Sequence, residues 1–110
     1  MSAHYELKPA ANNQFVFNLK ATNGEIILSS ETYTSKNAAL EGIESVREHS
    51  AYDEQFERKQ SSHYQPYFVL KAKNQEVIGK SEMYTSDGAM KKGIESVKKN
   101  GPVATTNDLT

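Results

Sequence analysis

Tyr5 and Leu7 alternate with Glu6 and Lys8, the period-two pattern of a half-buried strand. After a polar loop at Pro9-Ala10-Ala11-Asn12-Asn13 the alternation returns, with Phe15, Phe17 and Leu19 on one face. Asn23-Gly24 follows, a hairpin signal because both residues tolerate the positive φ of a type I′ turn. Such a turn predicts a register in which Leu19 faces Leu28, Ala21 faces Ile26 and Phe17 faces Ser30 on the core side. Lys20 opposite Ile27 and Asn18 opposite Ser29 then lie on the outer side. The period next changes to that of a helix. Ala39, Gly42, Ile43 and Val46 fall at i, i+3, i+4 and i+7, one apolar stripe, behind Ser35 as a candidate N-cap. A glycine inside each helix costs about 1 kcal/mol against alanine, so its presence on the stripe predicts close approach to the sheet.

The whole pattern is written twice. Shifting the chain by 51 residues superposes 5–50 on 56–101 without a gap and gives 21 identities in 46 positions. Ser30-Glu31-Thr32-Tyr33-Thr34-Ser35 returns as Ser81-Glu82-Met83-Tyr84-Thr85-Ser86, and Gly42-Ile43-Glu44-Ser45-Val46 as Gly93-Ile94-Glu95-Ser96-Val97. Gly79 stands where Leu28 stands in the first copy, so the halves cannot pack identically, and Asn74-Gln75 is a weaker turn than Asn23-Gly24. The second helix ends at Asn100-Gly101-Pro102, a glycine stop followed by proline; the first ends more weakly, at His49-Ser50. A unit of this size buries too little of its surface to be robust alone. The expectation is a single domain over 1–110, made of repeats 5–50 and 56–101 and a closing strand at about 103–110. By the offset, that closing strand corresponds to Tyr52–Lys59, where the second copy already begins. One segment therefore ends the first copy and starts the second, and the last strand is expected to pair with the other unit.

Leu19-Lys20-Ala21, Asn23-Gly24-Glu25, Ser30-Glu31, Tyr33-Thr34-Ser35 and Gly42-Ile43-Glu44-Ser45-Val46, doubled and closed by Asp108-Leu109-Thr110, resemble the YegP-like family of small bacterial proteins of uncharacterised function. The resemblance implies an α+β fold. Two β3-α-β units form one largely antiparallel sheet, with both helices on one face and the C-terminal strands swapped between units. It implies no catalytic residue.

Composition narrows the chemistry. The chain has no cysteine, which removes disulfides, thiolate metal sites and a cysteine nucleophile and fits a reducing compartment. No apolar run reaches the roughly 18 residues of a membrane span, and the N-terminus lacks the layout of a signal peptide, so a soluble cytoplasmic protein is expected. The net charge of −1 conceals polarity: residues 1–55 hold four Lys/Arg and eight Asp/Glu, residues 56–110 nine and six. His4, His49 and His63 lack the spacing of metal ligands and read as surface side chains. No phosphate-binding loop or nucleophile elbow is present, so no catalytic residue, cofactor or metal is expected.

The expected function is therefore a non-enzymatic binding or interaction module, active as a monomer because the fused repeat satisfies its own dimer interface. Its candidate surface is the outer sheet face, where the predicted register places Val16, Ile27, Tyr67, Val69 and Ile78. Two alternatives stay open. Lys71, Lys73, Lys80, Lys91, Lys92, Lys98 and Lys99 make the second repeat basic enough for weak nucleic-acid binding. Tyr33 and Tyr84 could instead line an enzymatic cleft at the repeat junction, although packing against the first helical turn at Ala38 or Ala89 explains them more simply. Glu6 and Glu44 read as solvated charges, and Glu31 and Glu82 as partners of the helix dipoles.

Overall fold

The computed structural model describes residues 2–110. Its strands are β1 His4–Pro9, β2 Phe15–Lys20, β3 Ile26–Ser29, β4 Phe56–Gln60, β5 Pro66–Lys71, β6 Val77–Lys80 and β7 Thr105–Asp108. Helix α1 spans Lys36–His49 and α2 spans Asp87–Asn100. The seven strands form one sheet in the order β4-β5-β6-β3-β2-β1-β7. Every neighbouring pair is antiparallel except β1 and β7, which run parallel. β7 follows α2 yet lies beside β1 of the first repeat, so the closing strand is exchanged between the halves.

The sheet buries its alternating apolar side chains under the helices. Tyr5, Leu7, Phe17, Leu19, Phe68 and Leu70 are fully buried against Ile43, Val46, Ile94 and Val97. Ser35 and Ser86 cap the helices, accepting from the N–H groups of Ala38 at 3.0 Å and Ala89 at 3.1 Å. The glycines on the helix stripes answer to an aromatic ring as well as to the sheet. A Cβ on Gly42 would stand 2.8 Å from Cζ of Tyr33, and one on Gly93 2.7 Å from Cζ of Tyr84. Tyr33 in turn stacks on Phe17 and Tyr84 on Phe68, at ring separations of 6.0 and 6.2 Å.

The hairpins depart from the predicted register. Gly24 N–H donates to Ala21 O and Ala21 N–H to Glu25 O, both at 2.9 Å, so the loop is longer than a two-residue turn. Within it only Gly24 takes positive φ, at 85°. The pairing slips between Leu19 and Lys20, and Lys20 faces Ile26 instead of Ile27. A bulge of this kind turns two successive side chains of one strand to the same side. Ile27 and Leu28 both enter the core, and Ile26 is left outside at 40% exposure. The second repeat does the same: Ile78 is in the core and Val77 is 36% exposed. Ile27 and Ile78 are therefore not on the outer face, and Ile26 and Val77 take their place there. The second turn reaches this geometry without glycine, Gln75 carrying φ 74°.

Equivalent positions of the two repeats touch each other along one line, which marks a pseudo-twofold axis. Ser29 is the ladder partner of Lys80, joining the two halves of the sheet. Leu28 fills the space over Gly79, where a Cβ would stand 2.6 Å from Cγ of Leu28. Ser50 meets Gly101, whose Cβ would lie 2.8 Å from that of Ser50. Gly101 has right-handed helical φ and ψ, so the contacts with Ser50 and with Val97 O, at 2.8 Å, and not a left-handed cap, exclude a side chain there.

Candidate functional site

A row of ladder partners crosses the helix-free face through Glu57, Val69, Lys80, Ser29, Asn18, Glu6 and Asn107. It carries a matched ion-pair cluster in each repeat. Glu6 pairs with Lys20 at 3.0 Å and with His4 at 3.1 Å, and Glu57 with Lys71 at 3.0 Å and Lys59 at 3.1 Å. These partners hold both carboxyls below the usual glutamate range, through the hydrogen bonds of His4 and Lys20 to Glu6 and of Lys71 and Lys59 to Glu57. Glu6 and Glu57 are thus outward charges, engaged in ion pairs. Val69 lies in the row at 4% exposure between Glu57 and Lys80, and Lys80 sits 5.2 Å over the ring of Tyr67. Of the five apolar residues expected on this face, Val16, Tyr67 and Val69 lie on it, and only Val16 and Tyr67 are partly exposed.

The row passes over a cavity at its centre. The cavity measures about 250 Å³ and is lined by Ile26, Ser29, Ser30, Glu31, Val77, Gly79, Lys80, Ser81 and Glu82. Eight of the nine fall into equivalent pairs, 26/77, 29/80, 30/81 and 31/82, with Gly79 unmatched. The site therefore straddles the pseudo-twofold axis. Ile26 is the ladder partner of Lys20 and Val77 of Lys71, which places both on the outer face with the lysines that pair Glu6 and Glu57. The wall is held from behind: Ser30 Oγ accepts from Phe17 N–H at 2.9 Å and donates to Glu31 O at 2.7 Å. Ser81 Oγ repeats both bonds, with Phe68 and Glu82. Glu31 and Glu82 have no salt-bridge partner among the described residues. The arrangement offers an apolar centre between two carboxylates, with one ammonium beside it.

The other sequence candidates lie apart. Neither Tyr33 nor Tyr84 lines the axial cavity, but Tyr84 borders a second cavity between the repeats, of about 360 Å³, with Glu25 and Ile27 of the first repeat and Glu82, Ala89 and Gly93 of the second. Burial raises both phenol pKa values, and carboxylates from both repeats raise them further, Glu31 and Glu76 for Tyr33, Glu82 and Glu25 for Tyr84. The lysines of the second repeat divide between faces: Lys80 belongs to the outer row and Lys71 lies beside it on the same face, whereas Lys98 on α2 pairs with Asp53 at 3.5 Å and Glu95 at 3.7 Å. His49 is buried, not a surface residue: its Nδ1 lies 2.8 Å from Ser45 O and its Nε2 accepts from Lys73 N–H at 3.3 Å. Glu44 pairs with Arg47, and the Arg47 guanidinium reaches Ala104 O, Thr106 Oγ1 and the face of the Tyr5 ring. Tyr5 donates to Gly101 O at 2.6 Å, and its burial pushes the phenol pKa up. Arg47 and Tyr5 thus clamp β7, a role visible only once β7 is seen beside β1. The helices, 14 residues each, are too short and polar to cross a membrane.

Comparison with known proteins gives a consistent family. Residues 10–57 and 61–108 each match the model of a family described as a domain of unknown function, DUF1508. The UPF0339 protein YegP of Yersinia pestis is 57% identical over 107 residues, covering 97% of this chain and 96% of its own. The solution NMR structure of UPF0339 protein SO3888 from Shewanella oneidensis superposes with a TM-score of 0.93 at 48% identity, over 100% of this chain and 93% of that one. That of the E. coli protein yegP, whose function its description gives as unknown, gives the same TM-score and identity over 100% and 95%.

Proposed function

The chain belongs to the DUF1508 family as two tandem units, and from that premise we propose that it is a non-enzymatic binding module. Its recognition site is the junction cavity on the helix-free face. The reading rests on one observation: the two most exposed aliphatic side chains of the sheet, Ile26 and Val77, meet in a concavity on the symmetry axis. Exposed aliphatic groups are ordinary singly, but gathered in a cavity with a few fixed polar groups they have the make-up of a ligand site. At about 250 Å³ the space suits a small apolar body. Glu31 and Glu82 favour a ligand carrying an ammonium or other donor, and the Tyr67 ring holds Lys80 at the side of the site. The absence of cysteine, and with it of any disulfide, fits the reducing cytoplasm as the place of action.

The test uses 2-phenylethylamine and, as its neutral counterpart, 2-phenylethanol, titrated into 15N-labelled protein. Shifts are expected at Ser29, Ser30 and Val77–Glu82, with the amine binding more tightly. Ile26→Arg, at an exposed position, should abolish them without changing the fold. Absence of shifts at these amides with either probe, or unchanged shifts in the variant, refutes the assignment.

A further inference from the structure

The two edges of the sheet are not equivalent. β1 is covered by β7, in parallel register His4–Thr105, Tyr5–Thr106, Glu6–Asn107 and Leu7–Asp108. The repeat offset of 51 maps β7 onto residues 54–57 and the register residues of β1 onto 55–58. Residues 54–57 cannot cover β4, because they already form part of the turn Asp53–Gln55 and the start of β4 itself. The place beside β4 that corresponds to β7 therefore has no occupant among the described residues, where β4 pairs only with β5.

The surroundings of that open edge differ accordingly. Tyr5 and Leu7 are fully buried, whereas their counterparts Phe56 and Arg58 are half-buried and exposed. A cavity of about 390 Å³ lies there, lined by Arg58, Lys59, Gln60, Pro66, Asp87 and Met90. Arg58 and Asp87 are equivalent to Leu7 and Lys36. These two hold the end of β7: Leu7 O accepts from Leu109 N–H at 2.8 Å, and Lys36 pairs with Asp108 at 2.5 Å. At the open edge the cation has moved from the helix to the strand, with Asp87 replacing Lys36 and Arg58 replacing Leu7. Neither Arg58 nor Asp87 has a salt-bridge partner among the described residues.

We propose that the free edge of β4 accepts an eighth strand, an extended acidic segment of a partner protein that adds parallel to β4 as β7 adds to β1. Main-chain hydrogen bonds supply the pairing, as in other additions of a strand to a sheet edge. An apolar or threonine side chain opposite Phe56 covers that ring. An aspartate or glutamate two places on meets the Arg58 guanidinium, which a carboxylate can engage through two hydrogen bonds. The β7 of a second copy is not the occupant: Arg47 and Tyr5 hold it at its own β1, within the same chain, where its effective concentration exceeds that of any second copy.

The chain supplies its own probe, a synthetic capped peptide with the sequence of residues 103–110, titrated into 15N-labelled full-length protein. Amide shifts are expected at Phe56–Gln60 and Asp87–Met90. Replacing the peptide's Asp108 by lysine should weaken binding about tenfold, the loss of one charge-assisted contact. Arg58→Glu in the protein should weaken the acidic peptide similarly and favour the lysine peptide. Shifts confined to β1, equal binding by both peptides, or no shift at β4 would overturn the proposal. So would concentration-dependent dimerisation abolished by Arg58→Glu, since a second copy would then hold the edge.

Discussion

Gly93→Ala tests why each helix carries a glycine on its buried stripe, and its sign depends on one neighbouring ring. Two effects oppose each other. Alanine is favoured over glycine in a helix interior by about 1 kcal/mol. Against this, the new Cβ would stand 2.7 Å from Cζ of Tyr84 and 3.3 Å from Cε2 of Phe68. Forcing a methyl group into a filled site costs about 1–3 kcal/mol, so the net effect is a loss of up to about 2 kcal/mol. Tyr84→Ala removes the first obstacle. Truncating a fully buried aromatic costs about 3–5 kcal/mol, and this ring is only half-buried, so the variant stays folded. In that background only the milder 3.3 Å approach to Phe68 opposes the helix gain, and Gly93→Ala should be neutral or stabilise by up to about 1 kcal/mol. The coupling between the two positions is then up to about 3 kcal/mol, the share of the overpacking cost that Tyr84 imposes. Urea unfolding of the four proteins, compared at constant m, measures it. An equal loss on Gly93→Ala in both backgrounds would refute the reasoning, because the glycine would then be answering to the sheet or the backbone.

Gln75→Gly should stabilise by roughly 0.5–1 kcal/mol, since a non-glycine residue at φ 74° bears a left-handed cost of about 1–2 kcal/mol, partly offset by the entropy of glycine; a midpoint shift in urea measures it. Gly79→Leu should lose about 1–3 kcal/mol by overpacking against Leu28 and Leu28→Gly more by leaving a void, whereas the double exchange recovers most of both losses by carrying the leucine across the axis. Lys36 and Thr110 hold the Asp108 carboxyl below its ordinary range; a group depressed by folding contributes above its unfolded pKa of about 4 and loses that contribution as the pH falls further. The protection of Thr105–Asp108, taken relative to intrinsic exchange rates, should therefore fall below that pH before that of the core does, and Lys36→Met should shrink the step.

The repeat, the helix stripes and caps, and the exchange of β7 are all legible in the sequence, because each rests on periodicity or on the offset of 51. The outer face is not. A two-residue turn at Asn23-Gly24 and the longer loop actually formed differ by one unit of register, and no side chain in that stretch signals which is chosen. That slip exchanges Ile26 with Ile27, and Val77 with Ile78, between solvent and core. Duplication holds one usable hint. Ile26/Val77 and Ile27/Ile78 are matched pairs, so whichever pair faces outward does so twice and, near the axis, side by side. The burial of His49 is equally hidden, because its partner Lys73 N–H comes from the other repeat.

Fusion of the repeats has a consequence for recognition. In a dimer of identical units, residues on the axis face copies of themselves, so Leu28 would meet Leu28 or Gly79 would meet Gly79. Here leucine meets glycine, Ser50 meets Gly101 and Ser29 meets Lys80. The first two exchanges serve packing, each placing a larger side chain where its counterpart leaves room. The third does not: a serine and a lysine face each other at an open cavity, with matched carboxylates Glu31 and Glu82 on either side. A ligand in a truly symmetric site would bind in two equivalent orientations. The single ammonium of Lys80 removes that degeneracy, so an asymmetric ligand should occupy one orientation, its acceptor end toward Lys80 and its donor end toward the carboxylate farther from it. Lys80→Ser restores the symmetric pair and should return the two orientations, seen as a doubling of the bound-ligand NMR signals, with the protein's stability little changed.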